Sequence, residues 1–164
     1  KAIAINPDLA EAHTNLGYAY FKKGMLNESI SEHKKAIAIN PDLTIAHNNL
    51  AKAYNNLGFF YLEKGMLDKA ILEYKQAITI KPDYAMAHNN IGRAYENKGM
   101  IDEAIIEYKK DISIKSNLPE ALYNLGVAYY YKGNYKLAIV NCDKAVELGG
   151  NVNPKLLELL KPYR

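Results

Sequence analysis

The chain has 164 residues, 49% of them hydrophobic and 24% charged, enough apolar material for a buried core beneath a charged exterior. Its 21 basic and 18 acidic side chains are interleaved, leaving a formal charge of +3 with no block of one sign, so the composition carries no electrostatic footprint for nucleic acid. A single cysteine, Cys142, excludes an internal disulfide and a multi-cysteine zinc site, and no apolar run approaches the roughly 20 residues of a membrane-spanning helix.

In chain order, the first seven residues, Lys1-Ala2-Ile3-Ala4-Ile5-Asn6-Pro7, match Lys35-Ala36-Ile37-Ala38-Ile39-Asn40-Pro41. The chain is therefore expected to begin inside the last helix of a preceding repeat, as a piece of a longer protein. The period follows from two sets of landmarks. Asn15-Leu16-Gly17, Asn56-Leu57-Gly58, Asn90-Ile91-Gly92 and Asn124-Leu125-Gly126 recur at spacings of 41, 34 and 34. Lys23-Gly24, Lys64-Gly65, Lys98-Gly99 and Lys132-Gly133 follow the same intervals. Apolar residues fall at helical spacing between these marks, as in Leu16, Ala19, Tyr20 and then Leu26, Ile30, His33, Ile37, which predicts two helices per repeat. The second set of glycines suits helix C-termini, and Asp8, Asp42 and Asp83 are predicted to cap the helices that follow Pro7, Pro41 and Pro82. Ser116 replaces the boundary proline once, and Pro119 then opens the next helix. Gly17, Gly58, Gly92 and Gly126, with Ala36, Ala77 and Ala145, predict a close approach within each pair. A single hairpin cannot bury its apolar face alone, so neighbours must stack.

One interval is longer by seven residues. Ala46-His47-Asn48-Asn49-Leu50-Ala51 is echoed by Ala53-Tyr54-Asn55-Asn56-Leu57-Gly58, a duplicated heptad. Seven residues make nearly two helical turns, about 10 Å, and return side chains to almost the same face. The duplication predicts one long helix from Leu43 to Lys64, the alternative being a bend near Gly58. Its extra turns carry Ile45, Ala46, Leu50 and Ala51, a stripe that ordinary neighbouring hairpins are expected to leave partly exposed. Self-association or target docking through Ile45, Asn49 and Leu50 is the corresponding expectation. After Gly149-Gly150, Asn153-Pro154 predicts a short helix to about Lys161 whose Leu156, Leu157, Leu159 and Leu160 cover the last hairpin; the alternative is a partner-binding helix.

At a 34-residue period, Leu-Gly-x2-Tyr followed by Ala-x3-aromatic resembles the tetratricopeptide repeat family. The first part is matched by Leu16, Gly17 and Tyr20, by Leu57, Gly58 and Tyr61, and by Leu125, Gly126 and Tyr129; Ile91 replaces Leu in the remaining unit. The second is matched by Ala70 with Tyr74 and Ala104 with Tyr108. His13, Tyr54, His88 and Leu122 depart from the family's Trp, Ser29 from its second-helix Ala, and His33 and Cys142 from its aromatic. Asp111 stands where the other repeats carry Ala36, Ala77 and Ala145, and is expected to reach solvent at a frayed helix end, because an unpaired buried carboxylate is costly; the alternative is a functional buried charge. The resemblance implies an all-α, right-handed superhelical solenoid of antiparallel helical hairpins. Its divisions are 1–7 for the end of a preceding repeat, 8–42, 43–83, 84–118 and 119–150 for four repeats, and 151–164 for a C-terminal cap.

Relatives of this kind bind peptides or partner helices on the concave surface formed by first helices. By that resemblance the binding residues include Asn15, Tyr18, Phe21, Asn56, Phe59, Leu62, Asn90, Arg93, Tyr123, Asn124, Val127, Tyr130 and Tyr131. The recurring Asn15, Asn56, Asn90 and Asn124 can grip a peptide backbone with donor and acceptor together, or instead brace neighbouring helices. The exposed aromatics would accept apolar side chains of the ligand. Thr14, Tyr18, Met86 and Asn90 occupy slots where relatives that clamp the C-terminal carboxylate of heat-shock chaperones need two Lys, an Asn and an Arg, though Asn56 fits, so that partner class is not expected. No catalytic constellation, cofactor site or metal site is expected. His13, His47 and His88 would stand about 10 Å apart, too far to share a metal. Cys142 occupies a packing slot, and every glycine is a hairpin landmark. The expectation is a non-enzymatic interaction scaffold with a protein or peptide partner, possible homo-oligomerisation, no nucleic acid, no membrane span and a cytoplasmic location. The alternatives are a self-assembly module and the regulatory arm of a larger enzyme.

Overall fold

The computed structural model describes residues 7–115 and 118–164, apart from the side chains of Pro7 and Asp8. The segment expected to end a preceding repeat, the cap expected of Asp8 and the boundary position Ser116 lie outside what is described. Among the described residues the chain forms helices α1 (Pro7–Lys22), α2 (Leu26–Ile39), α3 (Thr44–Glu63), α4 (Leu67–Ile80), α5 (Ala85–Asn97), α6 (Ile101–Ile114), α7 (Pro119–Tyr131), α8 (Tyr135–Glu147) and α9 (Pro154–Leu160). A 3-10 turn, Lys161–Tyr163, closes the chain. The helices fall into two compact units, Lys1–Pro82 and Asp83–Arg164. In the first, α1 packs on α2, α2 on α3 and α3 on α4; in the second, α5 packs on α6, α6 on α7, α7 on α8, and α9 on α8.

The reversals within pairs share one chemistry. Gly24 adopts φ +73°, a left-handed conformation that a Cβ would strain. It lets the Met25 amide reach back to the Tyr20 carbonyl and the Gly24 amide to that of Phe21, at 3.0 Å each. This satisfies two carbonyls at the helix end. The same two bonds recur as Met66 to Tyr61 with Gly65 to Leu62, Met100 to Tyr95 with Gly99 to Glu96, Asn134 to Tyr129 with Gly133 to Tyr130, and Gly150 to Ala145 with Gly149 to Val146.

Helix starts differ from the expected capping. Asp42 and Asp83 lie in the turns, the N-cap positions of α3 and α5 are Leu43 and Tyr84, and neither helix has a side-chain cap. One residue, Leu43 or Tyr84, stands between each Pro-Asp and its helix and takes the N-cap position, which leaves the carboxylates one position too early to cap the first helical amides. Side-chain caps come instead from Asn134, whose Oδ1 accepts from the Leu137 amide at 3.2 Å, and Asn153, whose Oδ1 accepts from the Lys155 amide at 2.9 Å.

Within each pair, a glycine of the first helix faces a buried side chain of the second. A Cβ placed on Gly17 would lie 2.8 Å from the His33 ring, on Gly58 2.7 Å from Tyr74, on Gly92 2.5 Å from Tyr108, and on Gly126 2.6 Å from the Cys142 sulfur. These four partners are all fully buried. The family's aromatic slot is thus a knob seated on a glycine hole, filled here by His, Tyr, Tyr and Cys. Gly92→Ala is expected to destabilise the protein by about 1–2 kcal/mol, because overpacking against Tyr108 outweighs the gain in helix propensity. Urea denaturation of the variant against the parent chain measures the difference.

Helix α3 runs unbroken for 20 residues, against 13 for α5. Its added turns do not form the exposed stripe expected of them: Ala46 and Ala51 are fully buried and Leu50 is 5% exposed, while Ile45 remains 56% exposed. Helix α3 packs on α2 and touches α1, so the preceding hairpin is the neighbour that covers its buried residues from that side. Leu50 is therefore core, and Leu50→Ala is expected to cost about 2–4 kcal/mol in the same denaturation measurement.

At the C-terminus, Leu156 and Leu160 of α9 join Val152 in the buried cluster with Leu122, Leu125 and Tyr129, and Leu157 packs against it. Leu159 departs from its expected covering role, being 46% exposed at the edge of the stripe that Leu156 and Leu160 bury.

Candidate binding faces

In the first unit, α1 and α3 flank a recess of about 220 Å³ lined by Tyr18, Phe21, Lys22, Asn49 and Lys52, with His33 of α2 also contributing. Tyr18 and Phe59 keep nearly half their surface, Asn15 and Asn56 are exposed, and Phe21 and Asn49 are half-buried. Leu62 is buried and belongs to the core, so it is not on this face. His33 is fully buried, and neither ring nitrogen has a hydrogen-bond partner. Burial lowers its pKa and favours the neutral imidazole. The Lys22 ammonium lies 5.4 Å from the Tyr18 ring centroid, so aromatic and cationic character are adjacent here.

The second unit treats its asparagines differently. Asn90 is buried, and the Asn124 amide donates to Oδ1 of the buried Asn89 at 2.9 Å, bracing α7 against α5. Two of the four periodic asparagines thus stand on an open face and two are drawn into or against the helix packing. Arg93 is half-buried. Tyr123, Val127 and Tyr130 pack against the core, while Tyr131 is 65% exposed. These four residues also line a recess of about 160 Å³ with Leu156 and Leu159 of α9.

The histidines in the Trp slot have a role that sequence reading missed. His13 Nδ1 lies 2.6 Å from Glu32 Oε2, and Lys35 donates to the other oxygen at 2.7 Å. His88, Glu107 and Lys110 repeat the arrangement at 2.6 and 2.8 Å. Lys35 first and His13 second hold the Glu32 carboxyl below its ordinary pKa. At Glu107, burial acts upward but the bonds from His88 and Lys110 prevail and lower it. The signal was present as one spacing used twice, His to Glu at 19 residues and Glu to Lys at three.

Asp111 overturns its expected solvent exposure. Helix α6 continues to Ile114, and Asp111 is fully buried with neither carboxylate oxygen hydrogen-bonded. Ala36, Ala77 and Ala145 are equally buried at the corresponding positions, so this depth belongs to the slot and not to the residue. Burial, with Glu120 adding to it and His88 and Lys115 opposing, pushes the Asp111 carboxyl up to about 6. The folded state therefore holds the proton more tightly than the unfolded chain, and stability falls as pH rises from the ordinary aspartate range through about 6. Asp111→Ala is expected to raise stability near neutral pH by about 1–3 kcal/mol, with the advantage shrinking below pH ~4 as both states become protonated. Denaturation at a series of pH values reads this directly.

Cys142 is buried, and burial pushes its thiol up to about 11, so it remains protonated at neutral pH. Among the described residues no group of His, Cys, Asp and Glu converges to hold a metal, and no helix is long and apolar enough to cross a membrane.

Hairpins closed by glycine turns, locked by a knob on a glycine and stacked on their neighbours define an all-α solenoid of the kind that serves as a protein-interaction scaffold. The chain belongs to the tetratricopeptide repeat family. The TPR repeat model matches residues 1–24, 17–58, 60–99 and 97–133, and a tetratricopeptide repeat model matches 119–151. A crystal structure of MamA is 29% identical, with 88% of this chain and 80% of that chain covered and a TM-score of 0.62. Another MamA structure is 30% identical, covering 87% and 74% with a TM-score of 0.60. Pseudomonas aeruginosa pilF is 20% identical, covering 90% and 79% with a TM-score of 0.59, a likeness of fold. No curated relative matches the sequence.

Proposed function

We propose that this scaffold binds an extended segment of a partner protein on the face made by its first helices, and that the α1–α3 recess selects an acidic side chain next to an aromatic one. The carrying observation is the recess itself: Lys22 and Lys52 supply two cations beside Tyr18 and Phe21, with the unpartnered His33 below them. A carboxylate entering there gains charge-assisted hydrogen bonds from the lysines. A neighbouring ring gains area against Tyr18 and Phe21. Asn15 and Asn56, exposed on first helices of the same unit, offer amides to the ligand backbone without regard to its sequence. Packing gives no reason for aromatic rings to remain exposed at Tyr18 and Phe59, since Tyr54, Leu57 and Tyr74 already fill the core.

The test uses fluorescein-labelled peptides of alternating Glu and Phe, with Lys-for-Glu and Ala-for-Phe counterparts, read by fluorescence anisotropy. The Glu-Phe peptide is expected to bind, and Lys22→Glu with Lys52→Glu is expected to weaken it by about tenfold or more and to reverse the preference toward the Lys peptide. Equal affinity for all three peptides, or an unchanged preference in the double variant, sinks the reading.

A further inference from the structure

The second unit contains a recess of about 310 Å³ lined by residues of α5, α6 and α7 and the segments before them. Its chemistry is opposite to that of the α1–α3 recess. Asp111 lies at its buried side, while Asp83 and Glu120 are exposed at its margin; Lys115 is its single cation among the described residues. Tyr84, Met86 and Leu118 supply apolar wall.

Asp111 makes the site more than an acidic patch. Its carboxylate is fully buried and unbonded, at a position where three sibling hairpins carry alanine and fold. The fold therefore has no need of a charge there, and keeping one lowers stability. A buried carboxylate facing a cavity is compensated when a cation with donors of its own enters. A cation carried on a long apolar stem also packs against the wall of Tyr84, Met86 and Leu118. Lysine and arginine side chains have this construction, an aliphatic stem that packs on apolar surface and a charged head that seeks acceptors.

We propose that this recess binds an arginine or lysine side chain of a partner protein, with Asp111 as the buried counter-charge and Glu120 and Asp83 as the acidic rim that draws it in. Met86, 58% exposed and flexible in type, closes over the stem. The site is separate from the acidic-ligand recess of the first unit and stands without it.

The experiment titrates the full, 15N-labelled chain with acetyl-Gly-Arg-Gly-amide and, separately, with the same peptide carrying citrulline, which keeps the shape and removes the charge. The arginine peptide is expected to shift the amides of Asn89, Asp111 and Glu120 at millimolar concentration, and the citrulline peptide to leave them in place. Asp111→Ala, which stays folded by the alanine precedent, is expected to raise the Kd by about tenfold or more, and Glu120→Gln to raise it by less, as suits a solvent-exposed rim charge. Thermal unfolding of each variant verifies the fold. No shift from the arginine peptide, equal response to citrulline, or an unchanged Kd in Asp111→Ala overturns the proposal.

Discussion

The structure depends on the contact between a glycine of each first helix and a bulky or compact knob on its partner. Gly17 under His33, Gly58 under Tyr74, Gly92 under Tyr108 and Gly126 under Cys142 bring paired helices so close that a single added methyl would overlap the neighbour. Close approach suits the small side chains of the second helices: Ala36, Ala77 and Ala145 are fully buried. It also commits one stripe of each first helix to its partner, and leaves other residues, among them Tyr18, Phe59 and Tyr131, outside the core. The faces proposed to bind are thus a by-product of how each hairpin locks.

Polar residues placed in this core mark where stability has been given up. His33 stands in an aromatic slot, Ser29 and Asp111 in alanine slots, and all three are fully buried with side-chain polar atoms unbonded. A sequence optimised for folding alone would not retain them, and violations of local rules concentrate where proteins do something else. Two of the three border recesses, His33 beside Lys22 and Lys52, and Asp111 beside Asp83 and Glu120. One repeat design therefore presents cations in one unit and carboxylates in the other. The His-Glu-Lys triads at His13 and His88 are the opposite case, polar groups whose buried or half-buried atoms are mutually satisfied.

The repeat period, the two-helix unit, the glycine turns and the family were all legible in the residues, because each rests on local chemistry that recurs at a fixed interval. A left-handed turn needs glycine, and helical spacing shows in the apolar positions. The long α3 was legible for the same reason, since a duplicated heptad keeps its helical phase. What the pattern did not contain was which neighbour covers which face. Leu50 looked like an uncovered stripe and is core; Asn124 could be a rung for a peptide or a brace between helices, and it bonds Asn89; Leu62 looked like groove and is buried. Burial is a property of two surfaces, and one strand of sequence describes each surface only once. The fate of Asp111 shows the limit most plainly: an aspartate in an alanine slot is visible in the letters, but whether it frays outward or is sealed inside was decided by α6 continuing past it and by the packing around it.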